Sequence, residues 1–177
     1  MAFVLCVGLA LYLRMSGAAA SIDADEVAVL GPDAAFHARR MLQTWQHFPH
    51  VPIRDALLDW PHGAVVQWPP GFDLLGALLA LPFGSRFDAL LAFSTLPVLL
   101  GLSLVAATAR AAHAVAPRLP FAGGLCAAFV VAVLPQAVSI GRFSNTDHHV
   151  VEALILLALD RLFDRGLHFV ARLEHVA

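Results

Sequence analysis

The chain has 177 residues, of which 59% are hydrophobic and only 14% are charged. A soluble domain of this size normally carries about a quarter charged residues, so the composition argues against an ordinary soluble domain. Proteins that bind nucleic acid normally carry a basic patch, and the formal net charge of −2 therefore argues against a nucleic-acid partner. The mean hydropathy of +0.75 and the long uncharged runs predict an integral membrane protein.

Two uncharged runs are long enough to cross a bilayer, which requires about 20 apolar residues. The uncharged runs are Ala89–Ala109 and Leu119–Ile140, and we predict spanning helices over residues 87–112 and 118–141. The short connection between them carries Arg110 and Arg118 and no acid, which favours a cytoplasmic position. We therefore expect the outer ends of both helices on the external side.

The N-terminal run, residues 1–15, has two interpretations. It is either a first helix or a signal peptide with a cleavage site at Ala18-Ala19-Ala20. Both interpretations place residues 16–85 in an external loop. Residues 150–170 are a possible fourth helix, and the predicted fold class is therefore all-α, with polytopic transmembrane helices.

The external loop is acidic, aromatic and rich in proline. Within it, Ala34–His47 has the pattern of an amphipathic helix at the membrane interface. Gly71–Phe83 is too short to span; it is interfacial or begins a broken helix, and we favour the first. Three further aspartates are interpreted as turn or cap residues: Asp55, Asp59 and Asp73.

The strongest chemical signal follows the second spanning run, where Asp147, His148 and His149 are consecutive and Glu152 comes three positions later. One interpretation is that Asp147 caps the next helix. The other is a divalent-cation site, and the two histidines favour it. Mixed oxygen and imidazole ligands suit Mn²⁺ or Mg²⁺ better than zinc in this setting.

One such cluster supplies only two or three ligands, so a second external segment must contribute. Asp33, at the start of the predicted interfacial helix, is the candidate, although by itself it fits an N-cap better. His37, one turn later, is interpreted as structural. Arg142 fits an interfacial arginine that closes a helix better than a phosphate contact.

Three stretches resemble the catalytic subunits of oligosaccharyltransferase, especially the archaeal and bacterial single-subunit forms. Asp33–Arg39 is similar to the first-loop motif of that family. Asp59–Asp73 resembles the proline- and glycine-marked segment before its second transmembrane helix. Asn145–Glu152 lies where the family has its second acidic motif. The resemblance covers nearly the whole chain but only the N-terminal part of the family.

The resemblance implies the glycosyltransferase C fold and transfer of an oligosaccharide from a polyprenyl-(di)phosphate carrier to asparagine in a secreted polypeptide. It implies that Asp33 and Asp147 are catalytic, and that Asp33, Asp147 and His149 bind Mn²⁺ or Mg²⁺. The substrate-contact candidates are Arg142, Asn145 and His148. Asn145 stands where many members carry an acid.

The expected partners are the polyprenyl-linked oligosaccharide, the acceptor polypeptide and membrane lipid, with the site on the external face of a prokaryotic plasma membrane. The family's later glutamate and its Trp-Trp-Asp segment would lie beyond residue 177. We therefore expect an incomplete fragment that is inactive alone. Two alternatives stay open: another polyprenyl-phosphate-dependent glycosyltransferase, or a small non-catalytic membrane protein.

Overall fold

The computed structural model describes residues 1–115 and 120–174, and this part of the chain is mainly helical. Two short antiparallel strands, β1 (Arg54–Asp55) and β2 (Ala64–Val65), form a small sheet in the first loop that the sequence did not predict. The helices are α1 (Ala2–Met15), α2 (Ala18–Ser21), α3 (Pro32–Gln46), α4 (Gly71–Ala80), α5 (Arg86–Val115), α6 (Pro120–Val133), α7 (Pro135–Ile140) and α8 (His149–Glu174).

Two helical stretches in the described chain are long and apolar enough to cross a membrane, judged by length and composition. They are Ala2–Ser21, which contains α1 and α2, and Arg86–Val115, which is α5. The second contains the predicted span 87–112. α3 lies within one residue or two of the predicted amphipathic helix, and α4 begins at the predicted Gly71.

The predicted span 118–141 differs from the structure, where a break separates α6 from α7. Leu134 at the break is extended, with φ −60° and ψ 121°. The cause is Pro135, because the ring of a proline disfavours helical geometry in the preceding residue. Residues 116–119, which include the predicted start of this span, lie outside the described residues.

The chain divides into two compact units, and the division falls within α5. The helical unit comprises Met1–Arg14, Leu100–Gly141 and His149–Ala177. The loop unit comprises Met15–Leu99 and Arg142–His148.

In the helical unit, Arg14 near the end of α1 is completely buried. Because Pro135 has no N–H, the carbonyl of Val131 lacks its usual helical donor. The Arg14 guanidinium supplies donors at this break over 3.1–3.3 Å, and the accepting carbonyls belong to Ala10, Val131, Ala132 and Ala137. Arg14 therefore joins α1 to the interrupted pair α6 and α7.

In the loop unit, α3 and α4 run side by side in the same direction. Successive contacts pair His37 with Asp73 and Trp45 with Ala80, whose carbonyl accepts the indole N–H at 3.1 Å. Between them, a Cβ added to Gly76 would overlap the sulfur of Met41. A side chain at residue 76 would therefore require the Met41 side chain to move.

Candidate functional site

The segment between α7 and α8 carries Asp147, and Ser144 fixes its course. Ser144 is fully buried and has a left-handed backbone with φ 69°, which is strained for a residue other than glycine. Its N–H donates to the Ser94 carbonyl at 3.0 Å, and its own carbonyl accepts the N–H of Leu30 at 3.0 Å. Its hydroxyl donates to the carbonyl of Ala28. These bonds hold the segment against the rest of the loop unit.

Thr146 brings the same segment to the start of α3. Its buried hydroxyl donates to the carbonyl of Ala34 over 2.7 Å. Asp147 consequently lies beside the helix that carries both Asp33 and His37. The two aspartates that the sequence predicted to cooperate thus belong to adjoining segments of one unit.

Asp147 takes part in a cluster with two imidazoles. His148 Nδ1 lies 2.9 Å from Asp147 Oδ1 and 3.0 Å from His37 Nε2. One ligand atom from each of the three side chains lies within 4.8 Å of the others. We call His37, Asp147 and His148 the three-residue cluster.

The donor set of the three-residue cluster fits a divalent cation. Two ligand atoms that are each about 2 Å from one ion lie roughly 3 Å apart, and the contacts at 2.9 and 3.0 Å have this spacing. A carboxylate combined with imidazoles suits Zn²⁺, Mn²⁺ and other transition metals. The cluster therefore offers a partial ligand set that further groups would complete.

His37 is held from the side opposite the cluster. Its Nδ1 lies 2.7 Å from Asp73 Oδ1, and Asp73 Oδ2 accepts a 2.8 Å bond from Arg40. The rings of Phe36 and Phe72 pack against the imidazole in T-shaped contacts, with centroid separations of 5.0 and 5.4 Å. These contacts hold His37 in one orientation within the three-residue cluster, and they agree with the structural role that the sequence suggests for it.

Asp73 corrects another sequence interpretation. The sequence predicts a turn or cap residue at this position, but the side chain is completely buried in the first turn of α4, facing α3. The signal that could have revealed it is a lone carboxylate in the otherwise apolar run Gly71–Ala80, together with His37 and Arg40 at helical spacing. A buried carboxylate requires a partner, and those two residues provide it.

The other predicted ligands lie outside the three-residue cluster. Asp33 is exposed in the first turn of α3, one turn before His37. His149 begins α8 in the helical unit, and its exposed Nδ1 lies 2.9 Å from Glu152 Oε2. Within the three-residue cluster, the two imidazoles beside Asp147 are those of His37 and His148.

The predicted substrate-contact residues occupy the turn before Asp147. The exposed guanidinium of Arg142 donates to the Ser16 carbonyl at 3.1 Å. The Asn145 N–H donates to the carbonyl of Arg142 at 3.1 Å, and the Asn145 carbonyl accepts the N–H of Asp147 at 2.7 Å. Asn145 therefore shapes the turn through its backbone.

A second ion pair, between Arg39 and Asp55, ties α3 to β1. Burial raises the pKa of the Asp55 carboxyl, but a hydrogen bond from Arg39, another from the N–H of Leu57 and the charges of Arg39 and Arg40 lower it further. The net pKa lies below the ordinary value of 3.8. Asp55 is thus held ionised beside Arg39 of α3.

The chain is similar in sequence to the dolichyl-phosphooligosaccharide-protein glycotransferase 1 of Archaeoglobus fulgidus. The two are 29% identical over 127 residues, which are 72% of this chain and 21% of the relative. The chain is homologous to the archaeal oligosaccharyltransferase over this shared part. It spans about a fifth of the length of that relative. No protein-family model matches the chain.

Solved structures share the fold. One is the archaeal oligosaccharyltransferase AglB from Archaeoglobus fulgidus in complex with an inhibitory peptide and a dolichol-phosphate; it has a TM-score of 0.75 and 21% identity, over 85% of this chain and 17% of that one. The Archaeoglobus fulgidus oligosaccharyltransferase in complex with zinc and sulfate has a TM-score of 0.72 and 22% identity, over 86% and 19%. The helical arrangement described above is therefore that of part of these proteins.

Proposed function

We propose that this chain forms part of the catalytic membrane domain of an oligosaccharyltransferase and takes part in protein N-glycosylation. The observation that carries this proposal is the three-residue cluster, which lies beside the first turn of α3 where Asp33 is exposed. Homology to the archaeal enzyme supplies the reaction class. The reaction transfers an oligosaccharide from a polyprenyl-linked carrier to asparagine of an acceptor polypeptide.

In this proposal Asp33 and Asp147 are the catalytic carboxylates, and a divalent cation, Mn²⁺ or Mg²⁺, binds at Asp147. When bound, the cation would supply Lewis-acid stabilisation of charge on the carrier phosphate. His37 and His148 contribute imidazole nitrogens from the cluster. The ligand roles of Asp33 and His149 are those that the sequence predicts.

The proposed substrate contacts follow from charge and exposure. Arg142 is exposed at the turn that leads to Asp147, where a guanidinium suits a phosphate oxygen. His148 and Asn145 are the other proposed contacts. The relative of known structure binds a dolichol-phosphate and a peptide, and we propose chemically similar partners here.

We also propose a membrane setting for these residues. α5 and the stretch containing α1 and α2 would cross the bilayer as part of a polytopic protein, with α3 and α4 at the interface. The site would face the outside of a prokaryotic plasma membrane. Because the shared part is about a fifth of the relative, we expect glycan transfer to require further protein, and no transfer by the 177 residues alone.

Cation and carrier binding test the proposal without requiring turnover. The purified chain in lipid nanodiscs should bind Mn²⁺, detected by electron paramagnetic resonance, and should retain polyprenyl diphosphate more strongly when Mn²⁺ is present. Asp33→Asn and Asp147→Asn should weaken both. Asp23→Asn, which changes an exposed acid elsewhere in the loop, is the matched control. Binding that is equal in all four proteins would overturn the proposal.

A further inference from the structure

Asp73 is a buried carboxylate in an apolar helix, and both of its oxygens are engaged by α3. Oδ1 meets His37 Nδ1 at 2.7 Å, and Oδ2 meets Arg40 Nη1 at 2.8 Å. The three side chains are 0–4% exposed. Well-packed apolar residues could fill this space without the desolvation cost of buried charges. The arrangement therefore points to a role for Asp73 beyond packing.

The contact determines where His37 carries its proton. An ionised carboxylate can only accept a hydrogen bond, so Nδ1 of His37 must be the donor to Asp73. In a neutral imidazole the other nitrogen then has a lone pair and no hydrogen. That nitrogen, Nε2, is the atom that faces His148 at 3.0 Å within the three-residue cluster.

Arg40 holds the carboxylate in this orientation. Besides Asp73, its guanidinium donates to the carbonyl of Pro52 at 3.0 Å and to that of Trp68 at 3.2 Å. These bonds join both ends of the segment between α3 and α4 to the buried side chain of Arg40. With Oδ2 fixed by Arg40, Oδ1 is directed at the His37 ring.

We propose that Asp73 and Arg40 are positioning residues, which keep His37 in the Nδ1–H form so that Nε2 is ready to bind a divalent cation together with Asp147. The inference rests on the proposed cation site. A carboxylate that orients a metal-binding histidine in this way typically affects metal affinity by about 10- to 100-fold. Asp73 itself does not touch the cation or the substrate in this scheme.

The first test needs no mutation. Nitrogen-15 NMR of the full chain, labelled at histidine and held in detergent micelles, reports which ring nitrogen carries the proton; His37→Gln assigns the signal. We expect His37 in the Nδ1–H form. A proton on Nε2 would overturn the proposal.

The second test measures Mn²⁺ affinity in Asp73→Asn. We expect a loss of about 10- to 100-fold, with the His37 signal shifted towards the other tautomer and an unchanged helical circular dichroism spectrum. Trp45→Phe is the matched control, because it removes the bond to Ala80 at the other end of the α3–α4 contact. Its affinity should stay within about twofold of the wild type; an equal loss in both variants would mean that helix packing alone is responsible.

A double mutant shows whether Asp73 acts through His37. Asp73→Asn combined with His37→Gln should bind Mn²⁺ no more weakly than His37→Gln alone, and an additive loss contradicts the proposal. Asp147→Asn separates this inference from the proposed function. If Asp147→Asn abolishes binding while Asp73→Asn and His37→Gln leave it unchanged, only the positioning role fails. If no variant changes binding, the cation site fails as well.

Discussion

Thr146 and Ala34 are joined by a buried 2.7 Å hydrogen bond from the threonine hydroxyl to the alanine carbonyl, although they are 112 residues apart. Each lies next to one of the two aspartates proposed to act in catalysis. Asp147 therefore depends on a neutral bond between its neighbour and α3 for its place beside that helix. This relationship can be tested separately from the charges.

Replacing Thr146 with valine should weaken Mn²⁺ binding and lower stability. The substitution preserves the side-chain shape but removes the donor, which costs on the order of 1 kcal/mol. The freed segment should then hold Asp147 less firmly against the histidines. Isothermal titration with Mn²⁺ and thermal unfolding in detergent measure the two effects. Thr146→Ser, which retains a hydroxyl, should behave like the wild type; a valine variant with wild-type affinity would show that the bond does not position the site.

Replacing Arg14 with leucine should destabilise the helical unit by roughly 3 kcal/mol or more, since several buried carbonyls lose donors worth about 1–3 kcal/mol each. Removing a buried charge usually recovers desolvation energy, but the backbone acceptors stay in place here and cannot be removed with it. Thermal unfolding followed by circular dichroism measures the loss. Arg110→Leu, at an exposed arginine of the same unit, should be nearly neutral. Equal midpoints for the two variants would contradict the role of Arg14.

Gly76→Ala should destabilise the α3–α4 pair by about 1–3 kcal/mol, as expected for overpacking. The new Cβ would overlap the Met41 sulfur, and Met41 is itself fully buried, so its side chain must shift within a packed interior. Adding Met41→Ala should relieve the clash, so the double mutant should be more stable than the sum of the single effects predicts. Strict additivity in denaturant unfolding would show that the two residues do not interact.

The ion pair of Asp55 with Arg39 should make stability depend on pH in the acidic range. Because the folded state lowers the pKa of Asp55 below 3.8, the contribution is complete above that value and is lost as pH falls through the folded pKa. We expect a difference between wild type and Asp55→Asn on the order of 1 kcal/mol at pH 7, which disappears as the pH falls through the lowered pKa of Asp55. Denaturant unfolding across pH 7 to pH 2 measures it.

The control for this pH dependence is Glu26→Gln. Glu26 pairs with Arg86 at 2.9 Å, but both side chains are 57% exposed, so solvent screens the interaction. The control should change stability by a few tenths of a kcal/mol at most. A constant difference for Asp55→Asn at every pH would refute the assigned ion pair.

Local pattern was sufficient to predict α3 and α5, because the amphipathic period of one and the long apolar run of the other are properties of continuous sequence. The same reasoning did not predict the helix break before Pro135. Both Pro97 and Pro135 follow leucine in an apolar run, yet α5 continues through the first while a break precedes the second. The donors that accommodate the break come from Arg14, more than a hundred positions earlier, and no local window contains them.

The sequence predicted only part of the three-residue cluster for a similar reason. Asp147 and His148 were recognisable as a run of ligand types, but the third member of the cluster, His37, depends on the parallel packing of α3 and α4. That packing places Asp73 against His37 and Arg40. The sequence shows three titratable residues in two segments, whereas their shared burial is a property of the tertiary fold.

The contact between Arg14 and the interrupted helices also bears on how the protein is assembled. Arg14 is made 118 residues before Ala132, one of its acceptors. During synthesis the first hydrophobic segment is therefore made before the carbonyls that bind its guanidinium. The packing of this segment can be completed only after α6 and α7 have been made. Proteolytic removal of residues 1–20 after assembly would leave that junction without the Arg14 donors.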